Sequence, residues 1–248
     1  MKKIILATAI SALSLFASAA KKENTELQFL QTLLPNTNIA KYQKSGIDGF
    51  YEVYFDNGQI IYANPFKEIM LFGEIMNKNG YSITANKRLK WQEELTNKAM
   101  QNTPVDKLLK PAKKATFNKG SQNDYSFVLF TDPECPFCKT VENFFAENDT
   151  TVHYVFTPLP FHKNAKEWSQ IALSSKDFKK ALEDIHSGSV PKIAITEDAK
   201  KQLEEMEILA KELKVAGTPK IYVIDSKKQE IVQIINGADI PKLEVYLK

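Results

Sequence analysis

The chain has 248 residues, with 33 Lys+Arg against 30 Asp+Glu and a hydrophobic fraction of 43%. That fraction supports ordinary globular cores. The near balance of charge gives no reason to expect nucleic acid or a strongly anionic membrane as a partner.

The first elements are a basic start, Lys2 and Lys3, an apolar run from Ile4 to Phe16, and the small-residue site Ala17-Ser18-Ala19. Residues 1–20 read as a secretory signal peptide cleaved near residues 19–21. The alternative is an uncleaved anchor, but the run is short for a bilayer span. Without Lys2 and Lys3, 31 basic residues face 30 acidic ones, a net charge of +1. Export puts the mature chain outside the reducing cytosol, where disulfide chemistry is possible.

A short helix is expected over Lys22 to Leu34, with Leu27, Leu30 and Leu34 on one face. Strand-like runs follow at Phe50 to Phe55 and Gln59 to Ala63, joined by the hairpin signal Asp56-Asn57-Gly58. A third run, Glu68 to Ile75, adds a strand. Residues 21–83 thus form a small α+β domain of roughly 65 residues, a size at which one core is only marginally stabilising and pairing with a second copy offsets the shortfall. Its aromatic residues Phe50, Tyr51, Tyr54 and Phe55 fit a sheet core better than a client-binding surface. Thr84 to Met100 reads as a polar helix with a thin stripe of Trp91, Leu95 and Ala99, the pattern of a helix that bridges domains. Lys107, Lys110, Lys113, Lys114 and Lys119 read as a solvated connector, with no aromatic interleaving to suggest a nucleic-acid patch. Linker helix and connector together occupy residues 84–118.

Residues 119–248 carry an α/β pattern. A strand at Tyr125 to Phe130 leads to a helix near Cys135 to Glu147 and a strand at Thr151 to Phe156. Helices over Asn164 to Leu173, Asp177 to Ile185 and Thr196 to Leu213 form an insertion. Strands at Lys220 to Asp225 and Glu230 to Ile235 and a helix capped by Asp239, with Pro241 in its first turn, complete the layer.

Both cysteines, Cys135 and Cys138, lie in "FTDPECPFCKT". As a staple they would do little, because disulfide stabilisation grows with loop length and even a loop of about 15 residues is worth only about 3 kcal/mol. As a structural zinc site they supply two of four ligands. His153, His162 and His186 are scattered and read as ordinary surface or strand histidines. A four-thiolate site shared across a dimer stays open, although no metal is expected. The third reading is a reagent. A strand delivers Cys135 to a helix start, where free amides favour an anion. Pro136 suits the first turn. Cys138 sits one turn on, more shielded and placed to attack a mixed disulfide at Cys135. Asp132 and Glu134 read as turn and surface residues. Further along, Val215-Ala216-Gly217-Thr218-Pro219 precedes a strand and falls opposite the cysteine helix start. There the Thr218 backbone could pair with an extended substrate.

"VLFTDPECPFC" and "GTPKIYVID" resemble the active-site segment and the threonine–cis-proline loop of the thioredoxin superfamily. The mature chain as a whole is similar to the periplasmic DsbC/DsbG group of disulfide isomerases. That resemblance implies a thioredoxin-like domain with a helical insertion, preceded by a dimerisation domain and a linker helix. It implies a redox pair in Cys135 and Cys138, and substrate contacts from Pro136, Phe137, Thr218 and Pro219, with no cofactor. Expected partners are a second copy of the chain, misfolded or oxidised exported proteins, and a membrane reductase of the DsbD type. The chain departs from the group in lacking a structural cysteine pair in its insertion, which must rely on packing that includes Trp168 and Phe178. Pro136-Phe137 is also closer to the Pro-Tyr of DsbG-like members than to the Gly-Tyr of DsbC-like ones, which keeps reduction of single oxidised cysteines, with chaperone activity, as an alternative. A DsbA-like oxidase is a second alternative. Leu129 stands where thioredoxin and DsbA carry an acid, so a buried proton acceptor is missing at that site.

Overall fold

The computed structural model describes residues 25–247, and the signal-peptide reading falls outside them. The chain divides into two compact units, residues 1–97 and 98–248.

In the first unit, helix α1 (residues 25–33) precedes four antiparallel strands in the order β1-β2-β3-β4. These are β1 Ile39–Lys44, β2 Tyr51–Phe55, β3 Ile60–Asn64 and β4 Ile69–Leu71. Asp56-Asn57-Gly58 makes the expected hairpin. Gly58 takes φ +85°, a conformation cheap only for glycine, and donates its N–H to the Phe55 carbonyl. All residues of β2 and β3 are buried. One face packs Val53, Phe55 and Ile61 against Leu30 of α1. The other packs Tyr54 and Ile60 against Trp91.

Trp91 belongs to α2, Ile83–Asn102. Its ring meets Tyr54 edge-on at 5.5 Å, and its Nε1 donates to the Phe55 carbonyl at 2.7 Å. The helix expected to bridge without packing therefore covers one face of this sheet, because a single buried tryptophan outweighs the polar remainder of its turns. Glu52, 1% exposed, is held by Lys87, Gln43 and the Tyr54 hydroxyl. Strand β1 was not anticipated, since its burial is only partial and its pattern mixes lysines with apolar residues. β4 is shorter than the run Glu68 to Ile75, which Gly73 interrupts at φ +148°.

In the second unit, α3 (Val105–Leu109) leads into a five-stranded sheet ordered β5-β7-β6-β8-β9. Its strands are β5 Lys113–Phe117, β6 Tyr125–Thr131, β7 Thr150–Phe156, β8 Lys220–Asp225 and β9 Glu230–Asn236. The stretch read as a loose basic connector thus supplies an edge strand: Ala115 points into the core while the lysines of β5 stay accessible. β6 and β7 run parallel around α4 (Pro136–Glu147), and the other pairings are antiparallel. Helices α5 (Ala165–Ser174), α6 (Phe178–His186) and α7 (Glu197–Glu212) form the insertion, and α8 (Ile240–Glu244) ends the layer.

In this unit three helices begin on side-chain caps. Asp177 accepts from Lys180 N, Thr196 from Ala199 N and Asp239 from Lys242 N. The insertion is held by packing. Phe178 meets the rings of Tyr154 and Phe156, and Met206 Sδ accepts from Phe156 N at 3.3 Å. Trp168 is half-buried against the same core.

Gly120, in the turn between β5 and β6, shows how tightly this layer closes. A Cβ there would lie 2.0 Å from the Thr150 carbonyl oxygen, which is backbone and cannot swing away. Gly120→Ala should therefore destabilise the fold by about 1–3 kcal/mol, read as a lower urea midpoint at unchanged slope. An unchanged midpoint would refute the close approach.

Candidate active site

β6 ends at Thr131, and the turn Asp132-Pro133-Glu134 carries the chain to α4. Cys135 is the N-cap residue, with extended backbone at φ −79° and ψ 118°, and Pro136 opens the helix. The amides of that first turn have no partners inside the helix, so the sulfur stands at the positive end of the helix dipole. Cys135 Sγ lies 3.6 Å from the Thr218 carbonyl, which it meets as a donor. The Thr218–Pro219 peptide is cis. The structure thus brings together Cys135, Cys138, Thr218 and Pro219, the residues picked from two distant stretches of sequence. Phe137 is 65% exposed and projects from the same turn; Pro136 beside it is also exposed.

The two sulfurs differ in surroundings. Neither forms a disulfide here. Cys135 is 5% exposed and Cys138 0%. Burial raises the Cys138 thiol well above the usual cysteine range, and the charge of Glu142 adds to the rise. The nearby hydroxyls of Thr218 and Thr131 and the Asp132 backbone oppose it. The buried Thr218 hydroxyl, which faces the Cys138 sulfur, has no hydrogen-bond partner.

Asp132 is not a surface turn residue, as the sequence suggested, but is 0% exposed. Its carboxylate accepts from Glu134 N at 2.8 Å and from Leu159 N at 2.7 Å, and lies 2.9 Å from His162 Nδ1. Glu134 in turn accepts from the backbone and side chain of Asn164. The two acids fasten the loop between β7 and α5 to the turn that carries Cys135. His162 is accordingly part of the site's framework.

A second acid sits below the cysteines. On α4, Cys138, Val141, Glu142 and Phe145 share the buried face. Glu142 is 5% exposed, and its Oε1 accepts from the Thr131 hydroxyl. Its Oε2 approaches His186 Nε2 at 3.5 Å. Burial pushes the Glu142 carboxyl up to about 8, with the charge of Asp132 adding to the rise. Burial pushes His186 down to about 4, and Lys139 adds to that. Both partners are thus driven toward neutrality near pH 7, and their approach is a neutral contact, not an ion pair. A cavity of about 380 Å³ opens beside them, lined among others by Asn143, Tyr154 and Leu182. His186 was read as an ordinary surface or strand histidine; in the fold it lies at the end of α6 with its side chain 7% exposed. Glu142 was not singled out at all. The available signal was its position, in phase with Cys138, Val141 and Phe145 on the apolar stripe.

Among the described residues, no group of three or more His, Cys, Asp or Glu is arranged to hold a metal ion, and no helix is long and apolar enough to cross a membrane.

Comparison with known proteins follows the same division. Residues 112–245 match the family model of a thioredoxin-like domain, and residues 17–85 match that of the disulfide bond isomerase protein N-terminal domain. Among solved structures, the chain is similar to a disulfide interchange protein from Neisseria gonorrhoeae, at 26% identity and TM-score 0.47 over 56% of this chain and 94% of that one. It is similar to the catalytic domain of Proteus mirabilis ScsC at 23% identity and TM-score 0.40, over 61% and 92%. The thiol-disulfide exchange protein α-DsbA2 from Wolbachia pipientis aligns at 16% identity and TM-score 0.46, over 63% and 96%. No match was found among curated proteins.

The raised Glu142 carboxyl has a consequence for stability. The group binds its proton more tightly in the folded chain than at the ordinary value of 4.5. Its contribution is therefore full below about pH 4.5 and is lost as pH rises through about 8. Glu142→Gln keeps the shape and removes the titration. The urea midpoint of this variant relative to the parent should rise steadily between about pH 5 and about pH 8.5. A constant difference would show that Glu142 titrates normally.

Proposed function

The chain belongs to the thioredoxin-like family and is a thiol–disulfide oxidoreductase; from that premise, we propose that it is a periplasmic protein disulfide isomerase and reductase acting on misfolded or oxidised exported proteins through Cys135 and Cys138. The observation that carries this reading is the position of Cys135 at the α4 start, 3.6 Å from the Thr218 carbonyl, with Cys138 enclosed one turn behind it. Cys135 attacks a client disulfide and forms a mixed disulfide. The client then either rearranges and expels Cys135, or Cys138 attacks Cys135 and releases the client reduced. Phe137, exposed beside the nucleophile, and the backbone of Thr218 and Pro219 receive the client segment. A membrane reductase of the DsbD type returns the pair to the dithiol.

The amino-terminal unit, which matches the disulfide bond isomerase N-terminal domain, joins two copies. Support comes from its apolar surface. Phe66, Phe72 and Tyr81 are 66%, 72% and 67% exposed, and Ile69 and Leu71 of the edge strand β4 are each 43% exposed. A unit this small gains stability by covering such a surface with its own copy. Export through the leader places the enzyme in the periplasm.

Purified Cys135→Ala should lose reshuffling of scrambled ribonuclease altogether, and in cells the parent's pair should rest reduced. A variant as active as the parent, or a pair resting as the disulfide in the manner of an oxidase, would overturn the isomerase reading. Light scattering after size exclusion should give twice the chain mass for the parent and one chain mass for Phe72→Asp with Leu71→Asp. A monomeric parent would refute the pairing.

A further inference from the structure

Cys138 is sealed from water, and burial holds its proton on the sulfur. A thiol must lose that proton to become a nucleophile. The Thr131 hydroxyl, at the end of β6, adjoins the Cys138 sulfur and donates to Glu142 Oε1. Glu142 stands four residues beyond Cys138 on α4, one turn along the same face. Its other oxygen, Oε2, is buried without a hydrogen-bond partner and faces the equally unpartnered His186 Nε2 at the cavity between α4 and α6.

We propose that Thr131 and Glu142 form a proton relay for Cys138, and that the cavity beside His186 is where the relay meets solvent. The proposal rests on Cys138 being the resolving thiol. In the resolving step the Cys138 S–H bond breaks and its proton passes to Thr131 Oγ1, while the proton of Thr131 passes to Glu142 Oε1. The freed sulfur bonds to Cys135 Sγ. The bond between Cys135 and the client sulfur breaks, and its electron pair leaves on the client, which takes a proton from water. Across the two steps the client disulfide gains two electrons and the enzyme dithiol is oxidised. Glu142 then passes its proton to water in the cavity, and takes one back when the pair is reduced.

Glu142 is faced by Asp132 after β6, Tyr154 on β7 and His186 on α6. Further out, Asp177, Lys179, Lys180 and Glu183 line the cavity, and Lys139 binds the His186 carbonyl at 2.8 Å. Burial and Asp132 raise the Glu142 carboxyl to about 8, within reach of neutral pH as an effective proton acceptor requires. His186, neutral at that pH, does not pin the carboxylate as an ion pair.

The test uses an aromatic disulfide whose leaving thiol is coloured. With the full-length protein, the first release reports attack by Cys135 and the second reports attack by Cys138. Glu142→Gln should slow the second release roughly 100-fold and leave the first within about twofold. Thr131→Val, which keeps the shape and removes the hydroxyl, should also slow only the second release. In the parent the second rate should rise with pH through about 8, and this inflection should vanish in Glu142→Gln. Unchanged second rates in both variants, or an unchanged pH profile, overturn the relay while the proposed roles of the cysteines stand. A parent with no second release, or one that keeps it after Cys138→Ala, overturns the resolving role of Cys138 and the relay with it.

Discussion

The amides of the first turn of α4 lack carbonyl partners within the helix, and the fold spends that unsatisfied end on a sulfur. Parallel strands β6 and β7 flank α4, so the helix start falls at the carboxyl end of β6. The cis Thr218–Pro219 peptide enters β8, the antiparallel neighbour of β6, and delivers a carbonyl to the same spot. The strand order β5-β7-β6-β8-β9 thus converges two segments some eighty residues apart on one atom. Asp132 and Glu134 complete the frame by tying the loop after β7 to the turn before Cys135. The turn is rigid because its carboxylates are spent on backbone amides, and those amides would otherwise be buried unpaired.

Depth separates the two cysteines. Cys135 caps the start of α4, and Cys138 lies one turn inside it, on the buried face shared with Glu142. A low-dielectric interior penalises every charge placed in it. The buried acid and the buried thiol therefore hold protons more tightly than in water, and each makes ionisation of the other harder. Two groups so placed behave as one site that carries at most one negative charge near neutrality. Such a pair is poor at holding the fold together and well suited to passing a proton.

Much of this was legible in the sequence because it depends on local chemistry. The spacing of Cys135 and Cys138 after a β-branched and aromatic run, Pro136 in the first turn, Gly217-Thr218-Pro219 before a strand, and the cap Asp239 each carry their own signal. What escaped depends on tertiary placement. Asp132 looks like any acid in a turn until Leu159 and His162, from another loop, close over it. β1 and β5 are edge strands whose lysines break up the apolar alternation, leaving β1 only partly buried and β5 with Ala115 alone buried. Trp91 could be seen, but not that its indole would find the Phe55 carbonyl. Glu142 was visible only as a break in an apolar stripe, and propensity alone reads such a break as a helix turning toward solvent.

Leu129 illustrates how far a single position can be trusted. An apolar residue there was read as the absence of a buried acid, and that absence separated this chain from thioredoxin and from oxidases. Leu129 is indeed buried and apolar. Yet a carboxyl stands one turn beyond Cys138 on the same buried face of α4, in Glu142, and accepts from the Thr131 hydroxyl. A sealed thiol that is to react needs somewhere for its proton to go, and the requirement is on the volume beside the sulfur, not on one strand position. The missing acid therefore says little about which way electrons flow. The discriminating features that remain are the amino-terminal unit, with its exposed Phe66, Phe72 and Tyr81, and the Thr218 hydroxyl beside the Cys138 sulfur.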